Sequence, residues 1–166
     1  SWSFYSGSDT FDYLAEGETL ILTYTVTATD SQNTTDADTV TITITGTNDA
    51  PVITDGGDTA DLDETDAKLT ANGSLTISDV DTTDTVNVSR TLAVTGSSDR
   101  SDSAAPSESE LLAMFSLSPT AVIDNNENTD TTAWSFDSGS EAFDYLAAGE
   151  TLILTYTVTA TDSHGA

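Results

Sequence analysis

The chain has 166 residues, of which 36% are apolar, so it can form a packed core, and its length suits one or two domains. Twenty-nine acidic residues against three basic ones leave a formal charge of −26, which argues against nucleic-acid binding and against docking on anionic membranes. The absence of cysteine excludes disulfides and thiolate metal sites, and no apolar run is long enough for membrane insertion.

The first predicted elements form a hairpin. Residues 19–29, TLILTYTVTAT, alternate apolar residues with Thr, which is typical of a strand with one solvent-facing side. Residues 39–45, TVTITIT, repeat this alternation, and the polar stretch 30–38 between them predicts the turn of an antiparallel hairpin. Further strands are predicted at 68–77, 85–95, 115–123 and 132–137.

Helical structure is expected only in short pieces. Ser107 with Glu110 three residues later has the pattern of a capping box, and residues 143–150, FDYLAAGE, suggest a second helical turn that ends at Gly149. Residues 97–109 lack large apolar side chains and predict a mobile loop. The fold class is therefore all-β, an antiparallel β-sandwich with one or two short helical turns.

Both ends of the chain carry nearly the same sequence. Residues 1–34 and 133–166 are identical at 26 of 34 positions, which gives a period of 132 residues. This period is too long for a solenoid repeat but suits a whole domain. Residues 1–49 then form the C-terminal part of one repeat, and residues 50–166 form the next repeat without its final strand, whose sequence should resemble residues 35–49, TDADTVTITITGTND.

Several motifs in order resemble one known family. YTVTATDS, followed by a turn and TVTITITGTNDAPV, is similar to the VCBS repeat, a cadherin-like module of giant bacterial surface adhesins of the RTX type. The segments 62–89 and 133–166 continue the resemblance. It implies an immunoglobulin-like or cadherin-like sandwich in tandem arrays, secretion to the surface of a Gram-negative cell, and calcium at the junctions between repeats.

Carboxylates and amide oxygens cluster where such a calcium site would lie. Asp79, Asp81 and Asp84 belong to the sequence SDVDTTD, in which residues at i and i+2 of an extended segment project to one side and can chelate one ion. The resemblance adds a cadherin-like linker motif, an early acidic residue and two equivalent aspartates in ATDS. The predicted Ca²⁺ ligands are Asn48, Asp49, Glu64, Asp79, Asp81, Asp84, Asp30 and Asp162. The alternative is an acidic surface that simply faces water.

The sequence predicts two alternative functions. The first is a non-catalytic extender module of a secreted, extracellular adhesin, whose partners are neighbouring repeats and whose linkers are rigidified by calcium. The alternative is a filament subunit, in which the strand within residues 35–47 completes an identical subunit by donor-strand complementation. The same strand could instead fold back within its own chain. A carbohydrate site has no distinguishing motif, and an enzyme is not expected, because the sole histidine, His164, lies in a terminal turn.

Overall fold

The computed structural model describes residues 1–125 and 127–166, and these contain nine strands and one short helix. The strands are β1 (Thr19–Thr29), β2 (Thr35–Thr45), β3 (Val52–Ile53), β4 (Thr70–Ser78), β5 (Val86–Gly96), β6 (Phe115–Ser118), β7 (Ala121–Ile123), β8 (Thr129–Asp137) and β9 (Leu152–Thr161), and the helix is α1 (Glu108–Ala113). The strands pair antiparallel in three sheets, which confirms the predicted all-β class.

The predicted hairpin at the start of the chain is present and longer than expected. β1 and β2 pair over their full lengths, from Thr19 opposite Thr45 to Thr29 opposite Thr35, so the strand starts at Thr35 rather than at residue 39. Asp30 closes the turn, because its Oδ1 accepts hydrogen bonds from the backbone N–H groups of Gln32 and Thr34 at 2.8 and 2.9 Å. This two-stranded sheet, which we call the ribbon, is separate from the other two sheets.

The sandwich consists of a four-stranded sheet, in the order β3-β4-β8-β6, and a three-stranded sheet, in the order β7-β5-β9. The single strand predicted at 115–123 is divided between them, since β6 pairs with β8 and β7 pairs with β5. Pro119 lies between the two pieces and has no N–H to donate to a ladder, which favours a break in the strand there. The alternation of apolar residues continues across this break, which explains why the sequence predicts one strand.

Apolar side chains from both sheets form the core. Ile77 and Val86 are fully buried on opposite sheets, and Phe115 bridges the sheets by stacking on Tyr156 with ring centroids 4.4 Å apart. A second group, around Leu111 of α1, fills the other end of the sandwich. The predicted boundary at residue 49 lies between the ribbon and β3, the first strand of the sandwich.

One of the two expected helical turns forms a helix. Ser107 is the N-cap of α1, and both hydrogen bonds of the capping box with Glu110 are present. Residues 143–150 form two separate turns instead, closed by Leu146 N–H to Phe143 O and by Glu150 N–H to Ala147 O. Phe143 has a φ of 62°, in the left-handed region, so a right-handed helix cannot include it. No helix in the described part of the chain has the length and apolar character needed to cross a bilayer.

Candidate metal centre

Four buried aspartates meet at one end of the sandwich. Asp79, Asp81 and Asp84 lie in the connection between β4 and β5, and Asp162 directly follows β9. Their exposed fractions are only 3%, 0%, 2% and 6%, in that order. We call these four residues the acidic pole. Aspartates are seldom buried so completely without a compensating charge, so this group differs from the solvated acids elsewhere on the surface.

Local hydrogen bonds give the β4–β5 connection its shape. The Asp79 Oδ1 atom accepts from the Asp81 backbone N–H at 3.1 Å, and the Asp84 N–H donates to the Asp81 carbonyl oxygen at 3.1 Å. Hydrogen bonds to Asp162 likewise shape the turn after β9. Its Oδ1 accepts from the backbone N–H groups of His164, Gly165 and Ala166 at 2.6–3.0 Å. These two turns bring ligand atoms of Asp84 and Asp162 within 4.8 Å of each other.

The linker between the ribbon and the sandwich joins the acidic pole. Asn48 Nδ2 donates to Asp162 Oδ2 at 2.9 Å, and the backbone N–H of Asp49 donates to Asp81 Oδ2 at 2.7 Å. Nearby, the Thr82 hydroxyl donates to the carbonyl oxygen of Tyr13 at 3.2 Å. The linker is thus attached to the pole by both a side chain and the backbone.

Three buried oxygen atoms at this place accept no hydrogen bond from any residue that the structure describes: Asn48 Oδ1, Asp79 Oδ2 and Asp81 Oδ1. Buried oxygens without a partner are rare in folded proteins, since each loses its hydration without replacement. Carboxylate and amide oxygens are the donors that Ca²⁺ prefers. The acidic pole with Asn48 therefore has the donor chemistry that suits a hard divalent cation. Asp84 and Asp162, whose ligand atoms lie within 4.8 Å of each other, are the pair best placed to hold it, and Asn48, Asp79 and Asp81 are the further oxygen ligands that could join them.

His164 also belongs to this group, although the sequence indicated no role for it. Its Nδ1 lies 2.9 Å from Asp84 Oδ2, and one ligand atom from each of Asp84, Asp162 and His164 lies within 4.8 Å of the others. The first repeat has Gln32 at the equivalent position, in a turn that also differs at its next two residues, so the sequence singles out His164 only as the sole imidazole of the chain. Because oxygens outnumber the single imidazole, the donor set favours Ca²⁺ over Zn²⁺.

The pKa values of these groups reflect burial and mutual repulsion. Burial raises the pKa of Asp79 and of Asp81, and the negative charges of neighbouring carboxylates raise both further, against the lowering effect of one backbone hydrogen bond each. Burial also acts on Asp162, but the hydrogen bonds that it accepts outweigh this effect and hold its pKa below the usual value. The hydrogen bond to Asp84 raises the pKa of His164.

We expect the free energy of unfolding of the metal-free chain to fall as the pH rises from about 4 to about 8. Asp79 and Asp81 bind protons more tightly in the folded chain, so folding is favoured less as the pH rises above their ordinary pKa. His164 acts in the same direction, because its stabilisation is complete below its ordinary pKa and is lost as the pH rises through its raised value. Asp162 opposes this trend only in acid, where its contribution is lost as the pH falls. The exposed carboxylates whose pKa values are lowered by hydrogen bonds act in the same way, namely Asp55, Asp99, Glu110 and Asp137.

Urea midpoints measured across this pH range, after chelation of divalent ions, check the expectation. His164→Gln introduces the residue that the first repeat has at this position. It should remove the decrease in the urea midpoint near neutral pH and leave the decrease in acid. A midpoint that increases steadily from acid to neutral pH would contradict the assignment of raised pKa values to the acidic pole.

The structure places the eight predicted ligands in two different settings. Asn48, Asp49, Asp79, Asp81, Asp84 and Asp162 come together, although Asp49 reaches the pole through its backbone. Asp30 lies in the exposed turn of the ribbon, where it bonds only local backbone groups among the described residues. Glu64 is exposed in the segment between β3 and β4, and no hydrogen bond or ion pair within the described ranges joins it to the pole.

Comparison with known proteins found no match to this chain among family models, curated proteins or solved structures.

Proposed function

We propose that the protein is a non-catalytic structural extender of a secreted bacterial surface adhesin, built from VCBS-type, cadherin-like repeats and rigidified by Ca²⁺ at the linker. The observation that supports this most directly is the set of three unpartnered buried oxygens, which come from the linker and from the acidic pole. A site shared in this way couples the ribbon to the sandwich. Neighbouring repeats of the same protein are then the natural partners.

Electrostatics explain why the ion would control rigidity. Four carboxylates meet in a buried place where, among the described residues, the one basic side chain in hydrogen-bond contact is the His164 imidazole, which bonds Asp84. At such separations like charges repel strongly when water is excluded. A bound Ca²⁺ supplies the missing positive charge, so the pole and the linker hold a single arrangement. Without that charge, the pole relaxes by separating its carboxylates, and the hydrogen bonds of Asn48 and Asp49 are the contacts that open.

A structural role also agrees with the chemistry of the side chains at the pole. His164, the one imidazole in the chain, bonds a carboxylate and not a hydroxyl nucleophile. Hydrolytic sites of the serine type need the imidazole next to such a nucleophile. We therefore assign the pole to ion binding and not to a reaction.

Distance measurements between paired spin labels test this proposal, and the chain has no cysteine that would interfere. Labels at exposed Thr27 in the ribbon and exposed Thr155 in the sandwich should give a narrow distance distribution with Ca²⁺ and a broad one after chelation. A control pair within the sandwich, at Thr131 and Thr155, should not respond. If Ca²⁺ raises the melting temperature but leaves the first distribution unchanged, the ion binds without rigidifying the linker and the extender proposal fails.

A further inference from the structure

The three-stranded sheet has an open edge at β9. Among the described residues, β9 pairs with β5 along one side and with no strand along the other. Its inward side chains, including Leu152, Leu154 and Tyr156, are only half-buried, although they pack against the core from this edge. The opposite sheet has four strands, whereas this sheet has three and ends at β9.

The first repeat shows which strand fits this edge. Residues 19–29 and 151–161 have the same sequence, TLILTYTVTAT, and in the first copy this sequence pairs with β2. Moving that register by one period of 132 residues places Ile44 opposite Leu152, Ile42 opposite Leu154 and Val40 opposite Tyr156. The apolar row of β2 would then continue the inward row of β9, and its threonines would continue the outer row.

The β2 strand of the same chain cannot take this place. In the transferred register Thr45 lies opposite Thr151, at the far end of β9 from Asp162. The length of β9 between these ends is about 34 Å at the usual rise of a strand. Asn48, however, is hydrogen-bonded to Asp162, and the three residues from Thr45 to Asn48 span at most about 11 Å. While the hydrogen bond from Asn48 to Asp162 is made, this tether excludes the fold-back within one chain that the sequence alone left open.

We infer that the open edge of β9 accepts β2 from a second copy of this chain, antiparallel and in the register that β1 and β2 already show. The exchange keeps the number of backbone hydrogen bonds that β2 makes, because β1, which it leaves, has the same sequence as β9, which it joins. It gains apolar packing, since the ribbon is open to water: Tyr24 is 48% exposed there, whereas its equivalent Tyr156 packs on Phe115. Burial of apolar surface therefore favours β2 on β9 over β2 on β1.

The donor and the acceptor are different surfaces of the molecule, so the contact is head-to-tail. Such contacts either propagate into a chain of copies or close when two copies exchange strands reciprocally. In both cases the mass in solution exceeds the 17.3 kDa of one chain. The inference concerns the edge of the sheet and not the ion, so it goes beyond the proposed calcium-dependent function and can fail or hold separately from it.

Crosslinking of single-cysteine variants tests the contact and its register. Thr41 lies opposite Thr23 in the ribbon, so the transferred register places it opposite Thr155 of the other copy, and all three are exposed. T41C carrying an affinity tag, mixed with untagged T155C, should give a heterodimer with a short thiol crosslinker. The control mixes T41C with T159C. In the transferred register these two cysteines are offset by four residues, about 13 Å along the strand, so we expect about tenfold less heterodimer.

Light scattering of the unmodified chain gives an independent readout. We expect a mass that rises with concentration above 17.3 kDa, with calcium present throughout so that the linker state is constant. A mass of one chain at every concentration, together with no excess of the T41C–T155C product over the T41C–T159C product, would overturn the inference. Association with equal crosslinking of both pairs would overturn it as well, because another surface would then hold the copies together.

Discussion

Calcium should raise the melting temperature of this chain, and Asp81→Asn should abolish the increase. Asp81 is fully buried and its Oδ2 accepts from the Asp49 N–H, whereas its Oδ1 accepts no hydrogen bond within residues 1–125 and 127–166. An ion that binds only the folded chain stabilises it by about 2.7 kcal/mol when its concentration is one hundred times Kd. For a chain of this size that corresponds to an increase of roughly 5–10 °C.

The same substitution should have the opposite effect without metal. Burial and the neighbouring carboxylates raise the pKa of Asp81, so the ionised form is unfavourable in the folded chain at neutral pH. Replacing it with a neutral amide removes that repulsion. Asp81→Asn should therefore melt at a higher temperature than the unmodified chain after chelation and at a lower temperature in saturating Ca²⁺. Melting curves of both proteins under both conditions measure this reversal.

The repeat provides a matched control for this experiment. Asp30 occupies the position equivalent to Asp162, and both carboxylates accept backbone hydrogen bonds in the same kind of turn. Asp30 is exposed and belongs to no cluster of metal-ligating side chains among the described residues, so Asp30→Asn should leave the calcium response unchanged, whereas Asp162→Asn should reduce it. Equal calcium responses in Asp81→Asn and the unmodified chain would place the ion elsewhere.

Parts of this site could be predicted because they depend on local sequence. The spacing of Asp79 and Asp81 is a property of one short segment, and the structure brings both carboxylates to the pole. The role of His164 depends on the distance between two loops that are 80 residues apart, which no local pattern reports. Glu64 is a predicted ligand because it lies in the acidic stretch DLDETD and matches an early acidic residue of the resembling family, and in the structure it is exposed in the segment between β3 and β4.

The fold shows the same division between local and long-range information. The alternation in residues 19–29 predicts a strand, and both copies of that sequence are strands. Whether such a strand is covered depends on its neighbours: β9 packs on the core of the sandwich, whereas β1 pairs only with β2. Two identical sequences thus have different burial, and the sequence of either one cannot distinguish them.

Phe4 and Phe136 occupy equivalent positions of the two repeats, so substitutions at these positions can measure the difference in burial between the repeats. Phe136 is 9% exposed in β8 and packs with Leu111 and Phe143, whereas Phe4 is 37% exposed and precedes the first strand. Truncation of a buried phenylalanine to alanine costs about 3–5 kcal/mol, through lost transfer energy and the cavity that remains. A substitution at an exposed position changes stability by less than about 0.5 kcal/mol.

We therefore expect Phe136→Ala to lower the urea midpoint strongly and Phe4→Ala to leave it nearly unchanged. Trp2→Phe in every variant leaves Trp134 as the only indole, so fluorescence then reports on the sandwich alone. The measurement belongs at low protein concentration in chelator, where neither ion binding nor association contributes to stability. Similar losses in the two variants would mean that the N-terminal segment packs in a core as its second copy does, because only a buried side chain leaves a cavity of that cost.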